Sequence, residues 1–174
     1  MPTPPPPGSP SAEVVEIERA LTRITYLSTR ARQHERLMAL AGVPLDRAAV
    51  ALLRQVADSE PQRPGELAAR LGVEASHVTR TVQQLQKSGY VTNVPDPDDR
   101  RAQRIELTDA GRQAIARIRE AGVRGMQTAL SDWSPGELRQ LATLFHRMVD
   151  DFLAHAVEEE PEPQQSAAAG PRPR

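Results

Sequence analysis

Apolar residues recur along most of this chain at steps of three and four, the spacing that lines one face of an α-helix. Val14, Ile17, Leu21 and Ile24 form the first such stripe; it predicts a helix from about Ala12 to about Leu40, ended by Gly42 with Pro44 just beyond. Asp46 then offers an N-cap for a helix whose Ala49, Leu52, Leu53 and Val56 share a face. Pro64 opens a short helix after a linker, at a position where a missing N–H costs nothing. Its inward residues are Leu67, Ala68 and Leu71, and Gly72 supplies the sharp turn. Glu74 to about Ser88 reads as the next helix, burying Val78, Val82 and Leu85 and closed by Gly89.

The period then changes to two. Tyr90 to Val94 is rich in strand formers, and Gln103, Ile105 and Leu107 alternate with Arg104 and Glu106. Between them Pro95-Asp96-Pro97-Asp98-Asp99-Arg100-Arg101 is an acidic turn ending in two arginines. Helical spacing returns after Thr108, a cap, and Asp109, whose charge suits a first turn. Ile115, Ile118, Val123, Met126 and Leu130 mark that helix, loosened by Gly122 and Gly125. Ser134 and Glu137, at capping-box spacing, open the last helix. There Leu138, Leu141, Phe145, Met148 and Phe152 step by 3, 4, 3 and 4, the spacing of a heptad seam.

Two short helices joined at a glycine, then a hairpin, describe a particular fold. Ala68 is small enough to let the helices cross closely, Gly72 permits the turn, and Val78 locks the second helix: the specification of a helix-turn-helix. The hairpin with its acidic, arginine-ended tip reads as the wing of a winged helix, a fold that grips DNA. The expected class is mainly α with a small β-hairpin wing: a winged helix-turn-helix domain plus an N- and C-terminal helical dimerisation bundle. The expected organisation is a proline-rich disordered tail over 1–11, a folded region over 12–156 and a disordered tail over 157–174. Within the folded region, 45–110 would form the DNA-binding lobe, and 12–41 with 111–156 the dimerisation helices. The first- and last-helix stripes lie at opposite chain ends and outlast what a winged domain needs to cover. A shared two-chain bundle accounts for both; the plainer alternative is packing on their own core.

Composition narrows the chemistry. The net charge of −1 does not announce a nucleic-acid binder, although Arg63 to Arg104 carries seven Lys/Arg against five Asp/Glu, a local +2. The absence of cysteine excludes disulfides, thiolate metal sites and thiol redox sensing. No apolar run reaches membrane length and no basic-then-apolar leader opens the chain, so the expected location is cytoplasmic, with no membrane partner. No glycine-rich phosphate loop, nucleophile elbow, His-Glu-x-x-His or close carboxylate pair occurs; the expectation is a protein that is not an enzyme and uses no cofactor. His146 and Asp150 stand one helical turn apart with His155 near, but two ligands do not make a metal site.

The Glu74–Ser88 helix presents Ser76, His77, Thr79, Arg80, Thr81 and Gln84 away from its apolar stripe. Hydroxyls, an imidazole, an amide and a guanidinium read base edges and phosphates. Alone, such a row is an ordinary solvated face; with a wing following, it becomes a candidate DNA-reading surface, with Lys87 a further phosphate contact. At the wing, Asp99 and Arg101 could merely pair at the surface, worth ~0–1 kcal/mol. The functional reading is that Asp99 orients an arginine for the minor groove, where narrow A·T-rich DNA concentrates negative potential. Arg100 then lies over a phosphate, or exchanges roles with Arg101.

On these residues the chain resembles the MarR family of bacterial winged-helix repressors, over about Glu13 to Ala156. The carriers are Glu66-Leu67-Ala68-Ala69-Arg70-Leu71-Gly72-Val73, Val78-Thr79-Arg80, Leu85 through Gly89-Tyr90-Val91, the wing Asp96 to Arg101, and Leu107-Thr108-Asp109-Ala110-Gly111. The resemblance implies a homodimer on pseudo-palindromic double-stranded DNA, recognition helix in the major groove and wing tip in the minor groove. Repression is the family's tendency, and release by small aromatic or phenolic effectors is common in it. Its effector cleft lies between dimer helices and DNA-binding lobe, which makes Tyr26, Arg30, His34 and Met38 candidate lining residues, or simply packing ones. Asn93 stands where members often place an arginine, and the missing cysteines rule out the peroxide-sensing branch. The rival reading is a winged helix used for protein–protein contact without DNA; it calls for apolar residues on the outward face of the 74–88 helix or a wing without arginines.

Overall fold

The computed structural model describes residues 10–99 and 101–158, which fall into two compact units divided after Gln127. Among the described residues the order is α1 (Ala12–Ser28), α2 (Ala31–Ala41), α3 (Arg47–Ala57), α4 (Pro64–Leu71), α5 (Ala75–Lys87), β1 (Val91–Pro95), β2 (Gln103–Leu107), α6 (Asp109–Ala129) and α7 (Pro135–Glu158). The mainly helical class with one small hairpin is therefore the class that the periodicities predict. No helix among the described residues is long and apolar enough to cross a membrane. The tails expected over 1–11 and 157–174 lie almost wholly outside the described residues; Ser11 caps α1, accepting from the Val14 N–H.

One predicted helix is two. The helix expected from Ala12 to Leu40 breaks at Thr29 and Arg30, where Arg30 is extended (ψ 132°). The reason is local. Ser28 Oγ donates to the Ile24 and Thr25 carbonyls at 2.7 and 3.1 Å, and Thr29 Oγ1 donates to the Tyr26 carbonyl at 3.0 Å. Hydroxyls that satisfy the last carbonyls compete with helix propagation.

The core is built from α3, α4, α5, the two strands, the end of α2 and the start of α6. Leu53, Leu67, Leu85, Ala49 and Ala114 are fully buried in it. Asp46 caps α3 by accepting the Ala49 N–H at 2.8 Å. Helices α4 and α5 pack on each other and on α3. The turn between them needs Gly72 at φ 63°, a left-handed conformation that costs a side-chain-bearing residue roughly 1–2 kcal/mol.

Strands β1 and β2 pair antiparallel from Val91 opposite Leu107 to Pro95 opposite Gln103. Gln62 adds a single rung, its carbonyl accepting the Ile105 N–H at 2.8 Å. The hairpin is thereby tied to the linker before α4.

The Leu107–Gly111 motif has a structural account. Thr108 caps α6 by accepting the Gly111 N–H at 3.1 Å, while its hydroxyl donates to the Gly89 carbonyl at 2.6 Å and its N–H to the Tyr90 carbonyl. Gly111 lies so close to the Tyr90 backbone that a Cβ would collide with that carbonyl. One threonine and one glycine thus clamp the start of α6 onto the junction between α5 and β1.

Neither α1 nor α7 buries its stripe within a single chain. Val14, Ile17 and Ile24 are exposed on α1, as are Leu138, Leu141, Phe145 and Phe152 on α7. Ser134 and Glu137 form the expected capping box: the Ser134 N–H and hydroxyl donate to Glu137 Oε2 at 2.8 and 2.7 Å. These bonds, the hydroxyl's first, hold the Glu137 carboxyl below its ordinary range.

Candidate nucleic-acid interface

Helix α5 buries Val78, Val82 and Leu85 and turns its other side to solvent. Ser76, His77, Thr79, Arg80, Gln84 and Lys87 are all exposed, whereas Thr81 is half-buried at the edge of the apolar stripe. At ~100° per residue the row diametrically opposite the buried edge is 76, 80, 83, 87. Gln83 therefore belongs to the outward face and is exposed there. The sequence reading missed it, although its spacing from Arg80 and Lys87 was the available signal. The outermost row, Ser76, Arg80, Gln83 and Lys87, is wholly polar.

The hydroxyls on this helix are not idle. Thr79 Oγ1 donates to the Ala75 carbonyl at 2.9 Å and Thr81 Oγ1 to the His77 carbonyl at 3.0 Å. With their protons engaged in the helix, both oxygens keep lone pairs free, so they are set to accept from a base or a water.

In the wing, Arg100 lies outside the described residues. Asp99 Oδ1 accepts the backbone N–H of Arg101 at 3.0 Å rather than its guanidinium, and the Asp99 carbonyl accepts the Ala102 N–H at 2.8 Å. Asp99 thus shapes the tip backbone and leaves the exposed Arg101 side chain clear of its carboxylate.

The residue that sequence reading undervalued is Asp96, whose side chain is fully buried. Its Oδ2 accepts from Arg63 Nε and Arg104 Nε, each at 2.7 Å. Oδ1 accepts the N–H groups of Asp98 and Asp99 at 2.9 and 3.2 Å. Four hydrogen bonds saturate an ionised carboxylate. The guanidinium bonds, Arg63's first and Arg104's second, outweigh burial and hold this carboxyl well below the usual range. A second link joins α5 to the wing, Gln86 Nε2 donating to Asn93 Oδ1 at 2.6 Å.

The candidate effector residues separate into two pairs. Arg30 stacks over the Tyr26 ring, 4.9 Å from its centroid, and both are exposed. His34 and Met38 instead line an open, mostly apolar hollow of 390 Å³ with Glu35, Ala39 and the 42–45 loop. His34 Nε2 there bonds the Leu45 carbonyl at 2.8 Å, and Met38 is a core residue. No group of three His, Asp or Glu able to hold a metal occurs among the described residues.

Residues 45–102, from just before α3 to the tip of the wing, match the family model described as MarR family. The HTH-type transcriptional regulator BilQ of Clostridioides difficile is 27% identical over 95 residues, 55% of this chain and 63% of that protein. The match thus spans just under two thirds of that relative. The uncharacterised HTH-type transcriptional regulator YpoP of Bacillus subtilis is 28% identical over 104 residues, 60% of this chain and 74% of that one. Among solved structures, a MarR family protein from Bacillus stearothermophilus shares the fold with a TM-score of 0.73 at 18% identity, covering 84% of this chain and 99% of its own. The transcriptional regulator Tm0710 of Thermotoga maritima gives 0.63 at 26% identity, over 83% and 99%.

Proposed function

Because the chain belongs to the MarR family of winged-helix proteins, we propose that it is a sequence-specific DNA-binding regulator of transcription, a repressor acting as a homodimer on a pseudo-palindromic operator. The observation that carries this reading is the outward row of α5, which offers Ser76, Arg80, Gln83 and Lys87 and no apolar side chain. A protein-docking helix would place apolar anchors there. Arg80 and Lys87 on the helix and Arg101 at the tip supply salt-dependent attraction to phosphates and the minor groove. Ser76, His77, Thr79, Gln83 and Gln84 discriminate bases from the major groove.

Dimerisation covers the exposed apolar stripes of α1 and α7, and a two-fold axis sets the two recognition helices about one DNA turn, ~34 Å, apart. Release by a small aromatic or phenolic effector belongs to the same proposal. The hollow beside His34 and Met38 has the size of a small-molecule site, and a ligand there would shift the population toward a spacing that no longer fits the operator. A panel of phenols and aromatic carboxylates that leaves the melting temperature unmoved would remove the effector.

The test of the function is selection of bound duplexes from a random DNA pool at near-physiological salt, followed by sequencing. Enrichment of an inverted repeat with half-sites one turn apart is expected. A folded, dimeric protein that enriches nothing would favour the protein-docking reading.

A further inference from the structure

An isolated two-stranded hairpin is marginally stable in water, so a wing keeps its aim only where other elements hold it. Two of the ties act on one rung: Ile105 bonds Gln62, and Asn93, the register partner of Ile105, bonds Gln86. That rung lies two residues before the hairpin's last pair, Pro95 and Gln103. Everything beyond it, the tip loop with Asp99 and Arg101, depends on a different anchor.

That anchor is Asp96. With Oδ1 it closes the turn of the tip loop on the N–H groups of Asp98 and Asp99; with Oδ2 it grips Arg104 on the opposite strand and Arg63 at the N-cap of α4. Arg63 is itself fixed, since its N–H donates to Glu66 Oε2 at 2.9 Å in the first turn of α4. Helix α4 in turn packs on α5. We propose that Asp96 is the positioning residue of the wing, setting the Asp99–Arg101 tip relative to the recognition helix so that both reach one duplex together. This rests on the DNA-binding reading above and adds to it the device that couples its two contact elements.

The charge makes the proposal discriminating. Replacing Asp96 by asparagine removes a negative charge beside two arginines, and simple electrostatics would then strengthen attraction to phosphates. Positioning requires the opposite. Asparagine can still accept from the turn through its oxygen, but its amide N–H₂ would face two guanidinium donors and could accept from neither.

The experiment uses the full chain and the duplex that the wild-type protein enriches from a random pool. Asp96→Asn is expected to bind that duplex about tenfold more weakly at matched salt, a coupling within the range seen for one network. Hydroxyl-radical protection of the minor groove at the site's flanks is expected to vanish while major-groove protection at the half-sites persists. Arg101→Ala, costly in the wild type, is expected to cost little more when added to Asp96→Asn. Equal or tighter binding by Asp96→Asn, or an undiminished Arg101→Ala effect in its background, would overturn the assignment. Arg63→Gln, which keeps the Arg104 bond and the turn, guards against misfolding: it should lose the same flank protection in part, and full flank protection would count against the proposal. If the wild-type protein enriches no duplex, the DNA reading falls by itself. Amide exchange then decides on Asp96: Asp98 and Asp99 should exchange faster in Asp96→Ala, which removes their acceptor, with α4 and α5 unchanged, and unaltered exchange refutes its hold on the wing.

Discussion

The alanine substitution of Gly111 sets two known effects against each other within one helix. Replacing glycine by alanine in an exposed helix interior stabilises by about 1 kcal/mol. A Cβ on Gly122 in α6 would meet open space beyond its own helix backbone, so Gly122→Ala should realise that gain. At Gly111 the Cβ would overlap the Tyr90 carbonyl and lie 3.2 Å from Leu107 Cδ2. The Tyr90 carbonyl is backbone and already accepts the Thr108 N–H at 3.1 Å, so it cannot step aside without loosening the clamp between α5, β1 and α6. Overpacking of this kind costs about 1–3 kcal/mol, and a rigid neighbour argues for the upper half of that range. After subtracting the propensity gain, Gly111→Ala should destabilise by about 1–2 kcal/mol. The two variants should therefore stand about 2–3 kcal/mol apart, a midpoint separation on the order of 1 M in urea. The melts are compared at one protein concentration, because any self-association would link stability to it. A Gly111→Ala protein as stable as Gly122→Ala would refute the close-approach account of the motif.

Alanine at Arg80 or Lys87 should leave the enriched sequence unchanged and lower the slope of log affinity against log salt by about 2 per dimer, ~0.9 for each phosphate no longer neutralised; His77→Ala should instead change which bases are preferred, and a uniform loss would move His77 to the phosphate class. Asp96 has a depressed native pKa, so its contribution is complete above the ordinary carboxylate value of about 3.9 and is lost as pH falls through the native value. The Nε–H resonances of Arg63 and Arg104, which Asp96 accepts, should thus stay fixed from about pH 8 down to about pH 4, where an ordinary carboxylate is half protonated; a shift above about pH 5 would contradict the clamp. Phe145→Glu places a charge in the exposed α7 stripe and should yield monomers by sedimentation with loss of operator binding, whereas an intact dimer would exclude that stripe from the interface.

What the sequence made legible was decided over short range. Asp46, Thr108 and Ser134 cap the helices they were expected to cap, because a cap is a bond between residues two or three apart. Burial of Val78, Val82 and Leu85 follows from a period that any amphipathic helix must obey. The break after Ser28 is equally local, written in the hydroxyls of Ser28 and Thr29 rather than in the apolar spacing. Gln83 is local in the same sense: its place in the outward row follows from spacing alone, whatever its residue type.

The wing marks where that reasoning runs out. Asp96, Asp98 and Asp99 look alike in sequence, and proximity to Arg100 and Arg101 favours Asp98 and Asp99 over Asp96. Half of the distinction was nevertheless written locally. Asp96 precedes Pro97, which holds it in the extended region, and an aspartate that bonds the N–H two residues on is the ordinary start of a turn. The other half was not. Arg63 lies 33 residues away, and no local period marks it as a partner. Only after α4 and the hairpin have packed does one carboxylate become buried between two guanidinium groups, and burial is what separates it from its neighbours. Asp98 and Asp99 remain exposed, where an ion pair is worth little. A saturated buried carboxylate leaves its partners no equivalent acceptor, so the turn that opens the tip loop is held by the residue that sequence proximity ranks lower, while Asp99 shapes the backbone one step further on.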